Sequence, residues 1–336
     1  MNSLKELFDS FDNLTALIVG DVMIDTYLWG KSSRLSPEAP VPIVNVVKTE
    51  KRLGGAANVA LNVQALGATP LLCSVIGDDL EGADFERLLE EKQLSTEGIV
   101  KSVERVTTTK QRIIAGNQQL LRIDSEQETE LSEFEERHLL ERYEKLLQNS
   151  DVVIFEDYDK GVLTEKVISR LIAAAQEKNI PTIVDPKKKN FLSYVGVSLF
   201  KPNLKELKEG LKVEFQDANL EAFEHAAATL QQKLQAGNIL ITLSERGVFC
   251  TDGETKTYID AHKRSISDVS GAGDTVVSIA ALCLARQTPL PLLAGLANLG
   301  GGLVCEQIGV VPVDKARLYE EAREFNLFEE LTESSL

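Results

Sequence analysis

Short apolar runs alternate with longer runs of 3.6-residue period along most of this chain. Segments 16–19, 71–76, 151–155, 182–185 and 239–243 are apolar at consecutive positions and rich in β-branched residues. That is the pattern of strands buried on both faces of a parallel sheet. The last of them continues towards 247–250. Segments 57–66, 85–92, 132–148, 165–178, 219–235, 275–285 and 291–305 carry helical periodicity. In the fourth, Thr164 suits an N-cap, and Val167, Ile168 and Leu171 form one buried stripe. Strand and helix alternate, which predicts an α/β fold: a doubly wound, mostly parallel sheet with helices on both faces.

Two segments break the rhythm. Residues 24–53 include SRLSPEAPVPIVNVVKTEKRL, with three prolines followed by alternating apolar positions. Residues 98–124 include VERVTTTKQRIIAGNQQLLRID, again alternating and without a helical period. Both read as β ribbons outside the main sheet. They are expected to pair into a small β-sheet lid within one domain spanning 1–336.

Charge narrows the ligand classes. Among 336 residues there are 36 Lys+Arg and 52 Asp+Glu, a formal charge of −16. Such a surface repels nucleic acid and anionic membranes, so neither is expected as a partner. An anionic ligand would need a local cluster of cations. Cys73, Cys250, Cys283 and Cys305 are far apart in apolar runs, with no metal-ligand spacing, and read as reduced buried thiols. The first residues, MNSLKELFDSFDNL, form an amphipathic helix pattern containing acids rather than a signal peptide. No apolar run approaches the ~20 residues of a membrane span. A cytoplasmic location is expected.

The chemistry concentrates in DVSGAGDTVV, residues 268–277. Gly271 and Gly273 permit a tight turn into a helix start, where amides and helix dipole attract an anion. An acid in that nest is out of place unless it reacts. Asp274 could accept the proton of an attacking hydroxyl while the amides of Ala272, Gly273 and Asp274 hold charge on a transferred phosphoryl group. The plain alternative is a capped helix after a tight turn. Two other motifs fail. Gly30-Lys31-Ser32 lacks a P-loop glycine because Asp25 stands there, and Val276 replaces the third glycine of a dinucleotide fingerprint.

GGAANVALNVQALGA (54–68), KPNLKEL (201–207) and DVSGAGDTV occur in the order and spacing of the ribokinase-like (PfkB) carbohydrate kinases, which the whole chain resembles. GDVMIDTYLWGKSSRLSPEAPVPIV and TTTKQRIIAGNQQLLRID are most similar to the heptose 7-phosphate kinases of that family. The resemblance implies a ribokinase-like fold and use of ATP and Mg²⁺. It makes Asp274 the base and Gly271, Ala272 and Gly273 the anion hole. Asn203 and Glu206, an N-x-x-E motif, would orient Mg²⁺ through its waters, though a helix-capping pair is the alternative. Ser244, Glu245, Gly247, Asp268 and Asn298 would lie on the nucleotide side. Asp21, Asp25, Gly54, Gly55 and Asn58 would contact the sugar, although Asp21 and Asp25 could simply cap a strand end.

A phosphorylated substrate needs cations. Lys110, Arg112 and Arg122 alternate on the second ribbon, and Lys187 opens a lysine run after the strand ending at Asp185. Either group could be a solvated face. Two positions depart from the resemblance: Asp159 where relatives often have glycine, and Gly116 where they often have arginine. Many relatives continue into a nucleotidyltransferase. With no H-x-G-H motif before Leu336, that activity is expected from another protein. The expected reaction phosphorylates the anomeric hydroxyl of a heptose 7-phosphate, for lipopolysaccharide precursor synthesis. Alternatives are another sugar or sugar phosphate, and a non-catalytic sugar-binding protein. The exposed ribbons are also expected to pair two subunits into a homodimer.

Overall fold

The computed structural model describes residues 3–116 and 118–333. Among them the strands are β1 (Thr15–Gly20), β2 (Val22–Leu35), β3 (Pro42–Gly55), β4 (Thr69–Gly77), β5 (Gly98–Ser102), β6 (Thr109–Ala115), β7 (Gln118–Ser125), β8 (Val152–Glu156), β9 (Thr182–Asp185), β10 (Leu199–Phe200), β11 (Asn238–Thr242), β12 (Val248–Thr251) and β13 (Lys256–Ile259). The helices are α1 (Leu4–Ser10), α2 (Ala56–Ala65), α3 (Leu80–Glu91), α4 (Glu133–Leu147), α5 (Glu165–Glu177), α6 (Leu204–Leu211), α7 (Leu220–Leu234), α8 (Ala272–Ala285), α9 (Leu290–Val304), α10 (Lys315–Glu324) and α11 (Leu327–Glu333).

Nine strands form the main sheet in the order β13-β12-β11-β10-β9-β8-β1-β4-β5. All neighbours are parallel except β11–β12 and β12–β13. The pleat explains the apolar runs. In β1, Ile18 joins one core with α1, α2, α8, α9 and α10, while Leu17 and Val19 join the other with α4, α5 and α7. Helices on both faces thus bury successive side chains of one strand, as the sequence pattern predicts.

A second sheet lies over the strand ends, in the order β3-β2-β6-β7. The two irregular segments pair in parallel through β2 and β6, with Asp25 opposite Lys110 and Tyr27 opposite Arg112. The expected lid boundary is corrected here. Residues 98–102 are β5, the edge of the main sheet, and the lid begins its second ribbon only at Thr109. A further correction concerns 239–250. The chain does not run on but turns through Ser244–Arg246 and returns antiparallel as β12. Helix α3 starts five residues earlier than its periodicity suggests, because Asp79 caps it through the Gly82 N–H. Among the described residues no helix is long and apolar enough to cross a membrane.

Candidate active site

The carboxyl ends of the parallel strands converge beneath the lid, the place where open α/β sheets hold ligands. β8 ends at Glu156 and β9 at Asp185, while Asp21 directly follows β1 and Lys201 directly follows β10. Asp21 is buried. Its carboxylate accepts N–H bonds from Tyr158 (2.9 Å), Lys160 (3.0 Å) and Val162 (3.1 Å). Burial pushes its pKa up, and those three amides oppose the shift. The neighbouring Asp157 is pushed up to about 7 by burial and by the charge of Asp21.

The Gly54-Gly55 pair is required by close approach. Gly55 has φ +60°, and a Cβ there would lie 2.4 Å from the Asp21 carbonyl oxygen. A Cβ on Gly54 would lie 2.3 Å from Asp25 Oδ2. Asp25 is itself buried and ion-paired with Arg112. Two guanidinium groups lie over the Tyr27 ring, Arg52 at 4.9 Å and Arg112 at 5.2 Å from its centroid. Arg122 stays on the outer strand, exposed and paired in fork geometry with Asp124 at 2.9 Å. It does not join the site.

Helix α8 begins at the glycine motif that the sequence reading expects to form an anion hole. Gly271, at φ +81°, is its N-cap, and no side chain caps the helix. The Ala272 N–H turns back onto Val269 O at 3.3 Å, so it does not point at a ligand as the sequence reading expects. Asp274, one turn in, is buried. Its Oδ2 accepts from Asn58 Nδ2 (2.6 Å) and its Oδ1 from the Tyr158 hydroxyl (2.9 Å). Burial raises its pKa, Asp185 adds to the shift, and the Asn58, Tyr158 and Lys187 contacts oppose it. The second amide atom of Asn58, Oδ1, is buried without a hydrogen-bond partner.

Around Asp274 lies an acid cluster that the sequence reading missed. Glu156, Asp185 and Asp274 bring carboxylate oxygens within 4.8 Å of one another. Glu156 is fully buried with neither oxygen hydrogen-bonded. Burial and the charges of Asp185 and Asp274 drive its pKa far up. A buried carboxylate with two orphaned oxygens beside two other acids suits a hard divalent cation. Lys201 pairs with Asp185 at 2.9 Å. A Cβ on Gly273 would lie 3.3 Å from Asp185 Oδ2, so the start of α8 abuts that pair.

Asn203 and Glu206 take the capping alternative. The Asn203 side chain accepts from Glu206 N, and Glu206 accepts from Asn203 N, both at 2.8 Å. The other Glu206 oxygen accepts from Lys187 Nζ at 3.0 Å. Lys187 is drawn towards Asp185, Glu206 and Glu156, and lies 5.1 Å from the Tyr158 ring. Lys110 reaches the same ring from the lid at 6.0 Å. The two basic groups kept apart in sequence therefore meet at Tyr158.

The residues expected on the nucleotide side come from several loops and from α9. Ser244 and Glu245 are exposed in the turn after β11. Gly247, at φ +86°, abuts Ile259 O and Ala261 N, and Asn298 Nδ2 donates to the adjoining Asp260 O at 2.9 Å. Asp268 clamps two loops: it accepts from Ser270 N (3.0 Å) and Gly309 N (2.9 Å). These loops expose Ile266, Val269 and Ile308, apolar positions the sequence reading did not single out.

The departures have local explanations. Asp159 sits at φ +57°, a backbone conformation that glycine adopts freely and Asp tolerates, and its carboxylate accepts from Lys189 N. Gly116 turns β6 into β7 at φ +63°, with open space where a side chain would project. Asn117, which follows it in the NQQ stretch, lies outside the described residues.

Comparison with known proteins agrees with this arrangement. The pfkB family carbohydrate kinase model matches residues 14–316. The chain is similar to the "Bifunctional protein HldE" of Syntrophotalea carbinolica, 38% identical over 320 residues, covering 95% of this chain and 65% of that protein. It is also similar to the HldE of Trichlorobacter lovleyi, 39% identical over 317 residues, covering 94% and 64%. It thus spans about 65% of the length of these relatives. Among solved structures, the tetrameric inhibited form of phosphofructokinase-2 from Escherichia coli superposes with a TM-score of 0.75 at 18% identity, covering 92% of this chain and 99% of that one. With a buried aspartate at an uncapped, glycine-started helix beneath a β lid, and a family model matched over residues 14–316, the chain belongs to the pfkB family of carbohydrate kinases.

Proposed function

We propose that this carbohydrate kinase transfers the γ-phosphoryl group of ATP to the anomeric hydroxyl of a heptose 7-phosphate. The observation that carries the reading is the meeting of Asp274, the start of α8 and the cations Lys110 and Lys187 at one point beneath the lid. Asp274 takes the acceptor proton. Gly271 and Gly273 shape the turn that receives the phosphoryl group. Asp21, Asp25, Gly54, Gly55 and Asn58 form the sugar wall, with the unpartnered Asn58 Oδ1 available to a sugar hydroxyl. Ser244, Glu245, Gly247, Asp268 and Asn298 border the nucleotide, whose base has Ile266, Val269 and Ile308 as apolar ground. Glu156 and Asp185 would hold Mg²⁺, which neutralises phosphate charge when bound. Asn203 and Glu206 would orient its waters, and Glu206 also pairs with Lys187.

The reaction belongs in the cytoplasm, and a nucleotidyltransferase would consume the product on the way to lipopolysaccharide. The relatives are named bifunctional and are longer than this chain, which supports a second activity beside the kinase. A second reading has a specific observation behind it. Arg112 is already ion-paired with Asp25, which favours a sugar whose phosphate does not reach that guanidinium. An ATP-consumption panel over free and phosphorylated sugars separates the two. Under the heptose 7-phosphate reading, the phosphorylated heptose is preferred over free heptose, and Arg112→Ala raises its KM about 10–100-fold while leaving the KM of ATP unchanged. Equal use of both sugars, with the variant unchanged on each, returns the assignment to an unspecified sugar kinase.

The lid also supports a homodimer. β7 is exposed along its length, with Leu121 53% and Ile123 46% exposed, and β3 exposes Val46 and Val47. An exposed sheet carrying apolar side chains on open edge strands is an association surface unless covered. Sedimentation at micromolar concentration should give a dimer that Leu121→Glu splits into monomers; a wild-type monomer refutes it.

A further inference from the structure

We propose that Tyr158 is a positioning residue for phosphoryl transfer: its hydroxyl fixes the Asp274 carboxylate in the orientation that takes the acceptor proton. The inference rests on the reading of Asp274 as the base. The geometry is a two-point clamp. The Tyr158 hydroxyl donates to Oδ1 at 2.9 Å, and Asn58 Nδ2 donates to Oδ2 at 2.6 Å. An aspartate χ2 torsion is broad and roughly two-fold, so one donor would leave the carboxylate free to turn. Donors on both oxygens set its plane.

The clamp has something to resist. Lys187 attracts Asp274, and Asp185 and Glu156 repel one or both members of the pair. A carboxylate turned towards the lysine would present the wrong lone pair to the acceptor. Small displacements of a reacting group are expensive in rate. Tyr158 is itself anchored, because its backbone N–H donates to Asp21 Oδ2 at 2.9 Å. One loop therefore holds an acid of the sugar wall with its amides and the base with its phenol. The ring also touches Lys110 at 6.0 Å and Lys187 at 5.1 Å, and those contacts survive loss of the hydroxyl.

That separation makes the test clean. Tyr158→Phe keeps the ring and its lysine contacts and removes only the O–H. With heptose 7-phosphate and ATP, its kcat should fall about 10–100-fold. Both KM values should stay within about twofold. ATP binding by calorimetry, unchanged from wild type, verifies the fold. The double variant Asp274→Asn/Tyr158→Phe should be no slower than Asp274→Asn alone, because the phenol acts only through the carboxylate. Tyr158→Leu should lose kcat in the same way and also raise the sugar KM, because the ring itself is gone. Wild-type kcat in Tyr158→Phe, beside an inactive Asp274→Asn, overturns the positioning role and leaves the base assignment standing. Additive losses in the double variant overturn it too, by showing a target other than Asp274. An active Asp274→Asn enzyme removes the base on which both rest.

Discussion

Asp274→Asn should lower turnover by about 10²–10⁴-fold while leaving the fold and ATP binding nearly intact. The substitution is close to isosteric in a site that leaves little room: Asp274 is 6% exposed, between Asn58 and Tyr158. The amide oxygen can still accept from one of these donors, and its NH₂ then faces the other. That costs some local stability but opens no cavity. What disappears is the only function an amide cannot supply, acceptance of the acceptor-hydroxyl proton. The glycine turn and the cations remain, so residual positioning should sustain a measurable rate. The measurement is steady-state turnover under saturating ATP and sugar, with calorimetry for nucleotide binding and a thermal melt for the fold. A variant keeping more than about a tenth of wild-type turnover would remove Asp274 from the role of base.

Much of this site is legible before any coordinates, for a physical reason. Glycines that need a positive φ leave a local signature: Gly55 lies at +60°, where a Cβ would meet the Asp21 carbonyl at 2.4 Å, and Gly271 at +81°, where a Cβ would press on the Asn58 side chain at 3.1 Å. Strands buried on both faces show the apolar runs that place β1, β4, β8, β9 and β11. The acid cluster is less legible. Glu156 and Asp185 end apolar strands 29 residues apart in sequence, and only parallel pairing in register brings them side by side. Tyr158 follows in a stretch that reads as a loop, and nothing local says its hydroxyl reaches across to α8. The same limit explains the misplaced lid boundary. β5 is a short edge strand with one exposed lysine, Lys101, so its pattern merges with the ribbon that follows. The Asn203–Glu206 spacing is ambiguous in principle: a capping box and an N-x-x-E metal motif need the same residues at the same interval.

Lys187→Met should lower kcat/KM by about 10²–10³-fold, with most of the loss in kcat, because the lysine faces the reacting centre rather than the far end of the substrate. Its sequence context alone allows it to be one of three solvated lysines or part of a pocket for the sugar's own phosphate. Its contacts favour neither. Nζ lies 3.0 Å from Glu206, within the fields of Asp185 and Glu156 and beside the Tyr158 ring that bonds Asp274. Burial disfavours its charge, but those acids outweigh it and hold it well above the ordinary lysine range, so it stays cationic at working pH. A fixed cation at the edge of the acid cluster meets charge that develops on the transferred phosphoryl group, beside buried acids whose low-dielectric surroundings strengthen such a contact. Methionine keeps the length and packing of the stem and removes the charge, leaving Glu206 without its partner. Lys187→Arg should recover part of the rate, since the charge returns with altered geometry. The KM for the phosphorylated sugar should move little, in contrast to Arg112→Ala, whose effect belongs to KM. A Lys187→Met enzyme with normal kcat and a raised sugar KM would instead put this lysine at the distal phosphate and leave the lid cation Lys110 to meet the transferred group.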